Sequence, residues 1–215
     1  MPVFTEKYLS LRKDLSKQKV LLVAVSKKKP VDEIVELYEL GQRDFGENYV
    51  QELVEKASSL PADIRWHFIG HLQTNKVRLI VPFVQLIQSV DSLKLAVEIN
   101  KQAKKIDKKI DILLQVHIAE EETKFGLSEE ELKEMIRKLP ELPNIRFRGL
   151  MGMASFTSDQ EQVKKEFRYL GELFERYGPR SEGIISMGMS GDYELAIEQG
   201  SNLVRVGSLI FGERK

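Results

Sequence analysis

The sequence lacks cysteine altogether, has one tryptophan and only three histidines, and carries no excess of either charge. Without cysteine, disulfide bridges, thiolate nucleophiles and cysteine-ligated metal sites are excluded. The 33 basic side chains are balanced by 33 acidic ones, whereas a nucleic-acid-binding domain usually presents a basic surface. We therefore expect no nucleic-acid partner and no metal site.

Long hydrophobic runs are also missing. No apolar run approaches the roughly 18 residues that a membrane-spanning helix needs. Residues 1–7 lack the basic stretch and apolar core of a secretory signal. We therefore expect a cytoplasmic protein without a membrane partner. The length of 215 residues predicts a single domain over residues 1–215.

Apolar segments of strand character alternate with amphipathic helical segments along the chain. Phe4, Tyr8, Leu11 and Leu15 recur at helical spacing and predict an opening helix. Strands are predicted at residues 20–25, 44–47, 66–70, 84–90, 110–118, 145–153, 183–187 and 203–206. Eight such units predict an α/β fold, a single (β/α)8 TIM-type barrel with an extra N-terminal helix. An open doubly wound sheet is the alternative.

The first predicted strand is uninterruptedly apolar and is followed by Lys27, Lys28 and Lys29. A lysine where a buried strand meets a loop can be held as a neutral amine, because burial disfavours the charged form. A neutral amine can attack an aldehyde and form a Schiff base. From this stretch alone, a solvated run of lysines is the simpler interpretation.

Two loops near the C-terminus have the composition of a phosphate site. In a (β/α)8 barrel, phosphate often binds at the loops after the seventh and eighth strands, here residues 187–192 and 205–208. Both loops combine glycine, which lets backbone N–H groups approach an anion, with serine, which adds a hydroxyl. The alternative is that Ser190 or Asp192 only caps a helix and that the glycines form turns.

Barrel closure would place Lys27 beside Arg205 and Gly207, because the first strand then pairs with the eighth. A pocket with an amine, an arginine and a phosphate site suits a phosphorylated aldehyde such as pyridoxal 5′-phosphate (PLP). A phosphosugar aldolase would use a similar set.

Longer motifs spread over the chain carry a family resemblance. They lie at residues 24–27, 29–30, 41–52 (including FGENYVQE), 66–70, 72–73, 75–76, 149–151, 186–190 (SMGMS), 204–207 and 210–212. The chain resembles the YggS/PROSC family of PLP homeostasis proteins. This resemblance implies a barrel similar to the N-terminal domain of alanine racemase. It also implies PLP bound as an internal aldimine to Lys27, with Lys28 and Lys29 at the surface.

The resemblance also assigns roles to further side chains. Arg205 is expected to face the pyridine nitrogen, the alternative being an ion pair with an acid such as Glu47. Because a guanidinium only donates hydrogen bonds, it would keep the pyridine nitrogen unprotonated. An unprotonated ring is a weaker electron sink. The phosphate ligands are expected to be Ser190, Gly191, Gly207 and Ser208.

Other positions are less sharply assigned. Asn48 and His67 are expected to line the pocket near the ring and Met151 to pack against the cofactor, with ordinary core or loop roles as the alternative. His71 stands where the family pattern has a small residue or proline and could alter the pocket rim. Lys124 matches a family lysine at the barrel mouth, either as a second aldehyde site or, more simply, as a surface lysine.

Family members resemble carriers or regulators of PLP rather than enzymes, with PLP-dependent apo-enzymes as candidate recipients. The alternative is an amino-acid racemase, which needs an acid/base on each face of the substrate carbon. In alanine racemase, the second group is a tyrosine from another domain of the partner subunit. We expect that domain to be lacking, because the chain ends soon after the eighth strand. A monomer or a weak homodimer is expected.

Overall fold

The computed structural model describes residues 3–121 and 125–212. Within them, eight parallel strands pair in chain order and close into a barrel, since the first strand pairs with the second and with the last. The strands are β1 (Leu21–Val25), β2 (Asp44–Glu47), β3 (Arg65–Phe68), β4 (Leu86–Val90), β5 (Ile110–Gln115), β6 (Ile145–Met151), β7 (Ile184–Ser186) and β8 (Leu203–Val206). Closure confirms the predicted barrel and excludes the open sheet.

Helices that precede, connect or follow the strands cover the outside of the barrel. They are α1 (Thr5–Lys17), α2 (Val31–Glu39), α3 (Val50–Ser59), α4 (Val77–Ile80), α5 (Leu93–Lys105), α6 (Glu129–Lys138), α7 (Gln160–Tyr177), α8 (Tyr193–Glu198) and α9 (Ser208–Phe211). Short 3₁₀ turns lie at Thr74–Lys76 and Leu139–Glu141. Over residues 3–121 and 125–212, no helix is both long and apolar enough to cross a membrane.

The predicted N-terminal helix is present as α1, which packs on the barrel before the first strand. It buries Tyr8, Leu11 and Leu15, the face predicted from their spacing. The backbone N–H of Phe4 donates to the carbonyl of Ile210 at 2.8 Å, so the start of α1 is tied to α9. This contact joins the two ends of the described chain.

Six of the eight strands, including β5 and β6, are shorter than the sequence predicts. β5 ends at Gln115 rather than at residue 118, because Val116 leaves the ladder and forms an isolated bridge with Leu127. β6 ends at Met151 rather than at residue 153. The residues that follow both strands are therefore loop residues at the C-terminal end of the barrel.

Side chains on the strands alternate between the barrel interior and the surrounding helices. An interior apolar cluster is formed by Val23, Leu86, Leu113, Met151 and Leu203. On β1 and β8 the inward-facing positions continue past this cluster, in steps of two, to Lys27 and to Arg205 and Gly207. The strands thus deliver these residues to the C-terminal mouth of the barrel.

Candidate functional site

A cavity of about 920 Å³ lies at the C-terminal end of the barrel. Its lining includes most of the residues selected from the sequence, namely Lys27, Asn48, Ser190, Gly191, Arg205, Gly207 and Ser208. These residues come from the loops after β1, β2, β7 and β8 and from β8 itself, which lie far apart in sequence. Barrel closure therefore brings them to one site.

The backbone around Lys27 is held on both sides. The Ser26 N–H donates to the carbonyl of Gly46 at 3.0 Å, and the Ser26 hydroxyl donates to Glu47 Oε1 at 2.6 Å. Lys28 has a left-handed backbone, with φ of 59°, and its N–H donates to Glu52 Oε1 at 2.5 Å. These bonds fix the loop while the half-buried Lys27 side chain faces the cavity.

Lys56 of α3 lies beneath this loop and joins its anchoring groups. Lys56 Nζ donates to the Ser26 carbonyl at 2.7 Å, to Glu47 Oε1 at 2.8 Å and to Glu52 Oε1 at 2.6 Å. Burial raises the pKa of Glu47, and the charge and hydrogen bond of Lys56 oppose that rise. One buried cation therefore ties α3 to the ends of β1 and β2.

Lys29 is not the surface residue that the resemblance implied. Its ammonium donates to the Phe211 carbonyl at 2.7 Å and lies 3.6 Å from Glu33, and its side chain is 13% exposed. The loop turns Lys29 back against α2 and α9, so it packs at the edge of the cavity. Lys28 is exposed, as expected.

Arg205 is buried at the base of the cavity. Its Nη1 donates to Ser186 Oγ at 2.5 Å and its Nη2 to the Gly152 carbonyl at 3.0 Å. Burial lowers the pKa of Arg205 to about 10, and the charge of Asp192 acts in the opposite direction. The alternative ion pair with Glu47 is not formed, because Glu47 faces outward to Lys56. Arg205 also lines the cavity, so its charge can act on a ligand bound there.

The two glycine–serine loops are joined directly to each other. The N–H of Gly207 donates to Ser190 Oγ at 3.1 Å, and the N–H of Met189 donates to Asp192 Oδ1 at 2.5 Å. Gly188 has φ of 95°, a conformation that favours glycine. A Cβ on Gly207 would lie 3.2 Å from the Val25 carbonyl, so glycine allows the close approach of this loop to β1.

Asp192 occupies the N-cap position of α8, yet its side chain makes no capping bond to that helix. The Ser190 hydroxyl is likewise engaged with Gly207 across the two loops. Asp192 therefore has the N-cap position of that alternative, but its side chain accepts from Met189 rather than from the helix, and Ser190 contacts the other loop. Their hydrogen bonds instead shape the loop that lines the cavity.

Two of the selected residues lie deeper than expected. His67 is buried inside the barrel, where its ring nitrogens contact Asp44 and Gln88 at 3.0 Å each. Met151 belongs to the interior apolar cluster. His67 is one residue before the end of β3 and Met151 is the last residue of β6, and the next inward positions, Ile69 and Met153, line the cavity in their place.

Asn48 does line the cavity, and its Oδ1 atom is buried without a hydrogen-bond partner in the described residues. A buried oxygen of this kind normally destabilises the folded protein, unless a ligand or a water molecule donates a hydrogen bond to it. Asn48 therefore offers an acceptor to a bound molecule. The loop after β6, with Ser155 and Thr157, also lines the cavity and was missed from the sequence.

The rim residues have separate contacts. His71 stacks on Phe125 with ring centroids 4.4 Å apart, and its Nδ1 lies 3.2 Å from Asp91 Oδ2. His71 is not part of the cavity lining. Lys124 lies outside the described residues. Across the part of the chain that the structure describes, no cluster of His, Asp and Glu could hold a metal ion.

Comparison with known proteins gives consistent similarities. A family model described as "Alanine racemase, N-terminal domain" matches residues 4–215. A protein of Aquifex aeolicus (strain VF5) named pyridoxal phosphate homeostasis protein is 44% identical over 199 residues, covering 90% of this chain and 87% of the relative. The Homo sapiens protein of that name is 43% identical over 218 residues, covering 94% and 79%.

Solved structures extend the comparison. PipY of Synechococcus elongatus PCC7942, solved with PLP bound, superposes with a TM-score of 0.85 at 35% sequence identity, covering 96% of this chain and 99% of that chain. An alanine racemase of Clostridium difficile 630 has a TM-score of 0.77 at 16% identity, covering 100% of this chain and 59% of that one. The second similarity concerns the fold alone.

Proposed function

The chain belongs to the family of pyridoxal phosphate homeostasis proteins, and we propose that it binds PLP in the cavity at the C-terminal end of the barrel. The observation that carries this proposal is the meeting of Lys27 with both glycine–serine loops in one cavity. PLP supplies an aldehyde, which condenses with an amine to form a C=N bond and water. Lys27 is the amine that we assign to this Schiff base.

The other cavity residues fit the remaining parts of PLP. Hydroxyl and backbone N–H groups of the two loops would hold the phosphate, and these residues are Ser190, Gly191, Gly207 and Ser208. The Arg205 guanidinium would face the ring nitrogen, and the unsatisfied Asn48 oxygen would accept from the ligand. His67 and Met151 would act only from behind the lining.

We propose that the protein holds PLP without turning over a substrate. Among the described residues of the cavity lining there is no tyrosine and no histidine to serve as a second acid/base opposite Lys27. Lys29, the other lysine of the lining, is engaged with Phe211 and Glu33. This composition favours a carrier over the alternative, a PLP-dependent racemase.

The proposal also covers the domain organisation, the location, the oligomeric state and the recipients of PLP. We propose a single domain over residues 1–215, a cytoplasmic location and a monomer or weak homodimer. PLP-dependent apo-enzymes are the proposed recipients of the bound PLP. A carrier of this kind would release PLP by hydrolysis of the bond to Lys27.

The test is a titration of the purified protein with PLP, followed by absorption near 420 nm, roughly where a lysine Schiff base of PLP absorbs. We expect the band in the wild type and in Lys28→Ala, whose side chain is exposed. We expect its loss in Lys27→Ala. A wild-type protein that develops no band, or a Lys27→Ala variant that retains it, would overturn the proposal.

A further inference from the structure

A continuous line of polar side chains crosses the barrel interior from the cavity to the opposite rim. We call it the interior polar network, and it consists of Arg205, Ser186, Gln88, His67, Asp44 and Arg65. Apart from the last contact, each hydrogen bond joins a different pair of strands. The hydrogen bond from Ser186 Oγ to Gln88 Oε1, at 2.7 Å, joins β7 to β4 across the barrel interior.

The hydrogen bonds of the interior polar network have one consistent direction. Arg205 can only donate, so Ser186 Oγ accepts from it and gives its own proton to Gln88 Oε1. The Gln88 amide then presents Nε2 to His67 Nδ1 at 3.0 Å. His67 Nδ1 must therefore accept, which leaves the ring proton on Nε2, 3.0 Å from Asp44 Oδ1.

The far end of the network is fixed by an ion pair. Arg65 donates to both oxygens of Asp44, at 2.8 Å and 2.5 Å. Burial alone would raise the pKa of Asp44, but the hydrogen bonds from Arg65 and His67 hold it below its ordinary value. Asp44 therefore remains an acceptor for His67 and fixes the orientation of the ring.

The interior polar network occupies inward-facing positions that apolar side chains could otherwise fill. Neighbouring inward positions on β1, β4, β5 and β8 are filled by Val23, Leu86, Leu113 and Leu203. A buried polar group costs free energy unless it is hydrogen-bonded, so an apolar layer would be the simpler core. The polar side chains follow a path that ends on Arg205 at the base of the cavity.

We propose that Ser186, Gln88 and His67 are positioning residues that fix the orientation of the Arg205 guanidinium towards the ligand. This inference rests on the proposed function, in which Arg205 faces the PLP ring. None of the three touches the cavity, and they act through Arg205 alone. Breaking the network lets the guanidinium turn, so the electronic environment of bound PLP changes.

The test compares Ser186→Ala and Gln88→Leu with Gln115→Leu as a matched control. Gln115 is also a buried inner-barrel glutamine, but it donates to the Phe125 carbonyl and is not part of the network. We expect both network variants to shift the absorption maximum of bound PLP and to bind PLP about tenfold more weakly. We expect Gln115→Leu to match the wild type in both measurements.

A second measurement needs no PLP. In the unloaded wild-type protein, ¹⁵N NMR of the His67 ring should show the Nε2–H tautomer at neutral pH. Network variants with wild-type spectra and affinities, a control that shifts equally, or a ring protonated on Nδ1 would each overturn the inference. Absence of the band in the wild type would instead refute the proposed function, and the NMR result would still decide the state of the network.

Discussion

Asp44 illustrates how a single buried side chain can make stability depend on pH. It accepts two hydrogen bonds from Arg65 and one from His67, and these hold its pKa below the ordinary value despite burial. In the unfolded chain its pKa returns to about 4. The folded state therefore binds the Asp44 proton less tightly than the unfolded state.

We predict that Asp44→Asn lowers the unfolding free energy by about 2 kcal/mol at neutral pH, because bonds to a charged acceptor are lost. The stabilisation by Asp44 is present above the unfolded-state pKa and is lost as pH falls through the folded-state value. The difference between wild type and variant should therefore shrink below about pH 4. Urea unfolding at several pH values measures it.

Asp14→Asn is the control for this experiment. Asp14 pairs with Lys17 on the surface of α1, with more than half of each side chain exposed. Surface pairs contribute little to stability, so this variant should follow the wild type at every pH. A constant difference between Asp44→Asn and wild type from neutral to acidic pH would contradict the assignment.

At the scale of elements, α3 supports the loop that carries Lys27. Lys56 reaches from α3 to Glu47 at the end of β2 and to the Ser26 carbonyl beyond β1. Removing one partner of a buried ion pair leaves the other charge without compensation. The position of Lys27 therefore depends on a helix that does not itself line the cavity.

We predict that Lys56→Met destabilises the fold by about 3 kcal/mol, because Glu47 is left buried without its cation. The variant should also bind PLP more weakly, since the loop around Lys27 loses its anchor. Lys133→Met is the matched control, because Lys133 pairs with Glu129 at the surface of α6. Equal unfolding free energies for the two variants in urea would refute this role of Lys56.

The sequence predicts the order and type of these elements well, and the reasons are local. The apolar run before Lys27 and the glycine–serine loops carry their own signals, and barrel closure then places Lys27 near Arg205. The depth of His67 and Met151 inside the barrel could not be predicted in this way. It depends on the stagger between neighbouring strands, which no local pattern records.

Local sequence patterns also could not predict the contacts by which Lys56 and Lys29 anchor the loop around Lys27. Lys56 looks like any solvated helix lysine, and Lys29 like part of a surface run. Their burial results from the packing of α3, α2 and α9 around the mouth of the barrel. The same holds for Gln88 and Ser186, which come into contact across the barrel although they are 98 residues apart.

At the scale of the whole molecule, closure of the barrel creates the cavity and also determines which groups can reach a ligand there. Within the described residues, neither Tyr49 nor Tyr193 lines the cavity, although both follow strands at its end of the barrel. A ligand bound at Lys27 would therefore meet no tyrosine there. This arrangement bears on the choice between carrier and racemase.

We predict that the PLP-loaded protein incubated with L-alanine in heavy water shows no rapid α-deuteration and no loss of optical rotation. Racemisation requires proton transfer at both faces of the α-carbon, and the described cavity lining offers Lys27 for one face but no tyrosine or histidine for the other. Proton NMR and polarimetry measure the two rates, with PLP alone as the reference. Rapid exchange that disappears in Lys27→Ala would establish the racemase alternative.

The central claim is that Lys27 holds PLP, and chemical trapping tests it most directly. Borohydride reduces the C=N bond to a stable amine, so the PLP-loaded protein can be digested and its peptides analysed by mass spectrometry. We predict one dominant pyridoxyl phosphate adduct, on Lys27. An adduct mainly on another lysine, such as Lys29 or Lys124, or no adduct at all, would contradict the account.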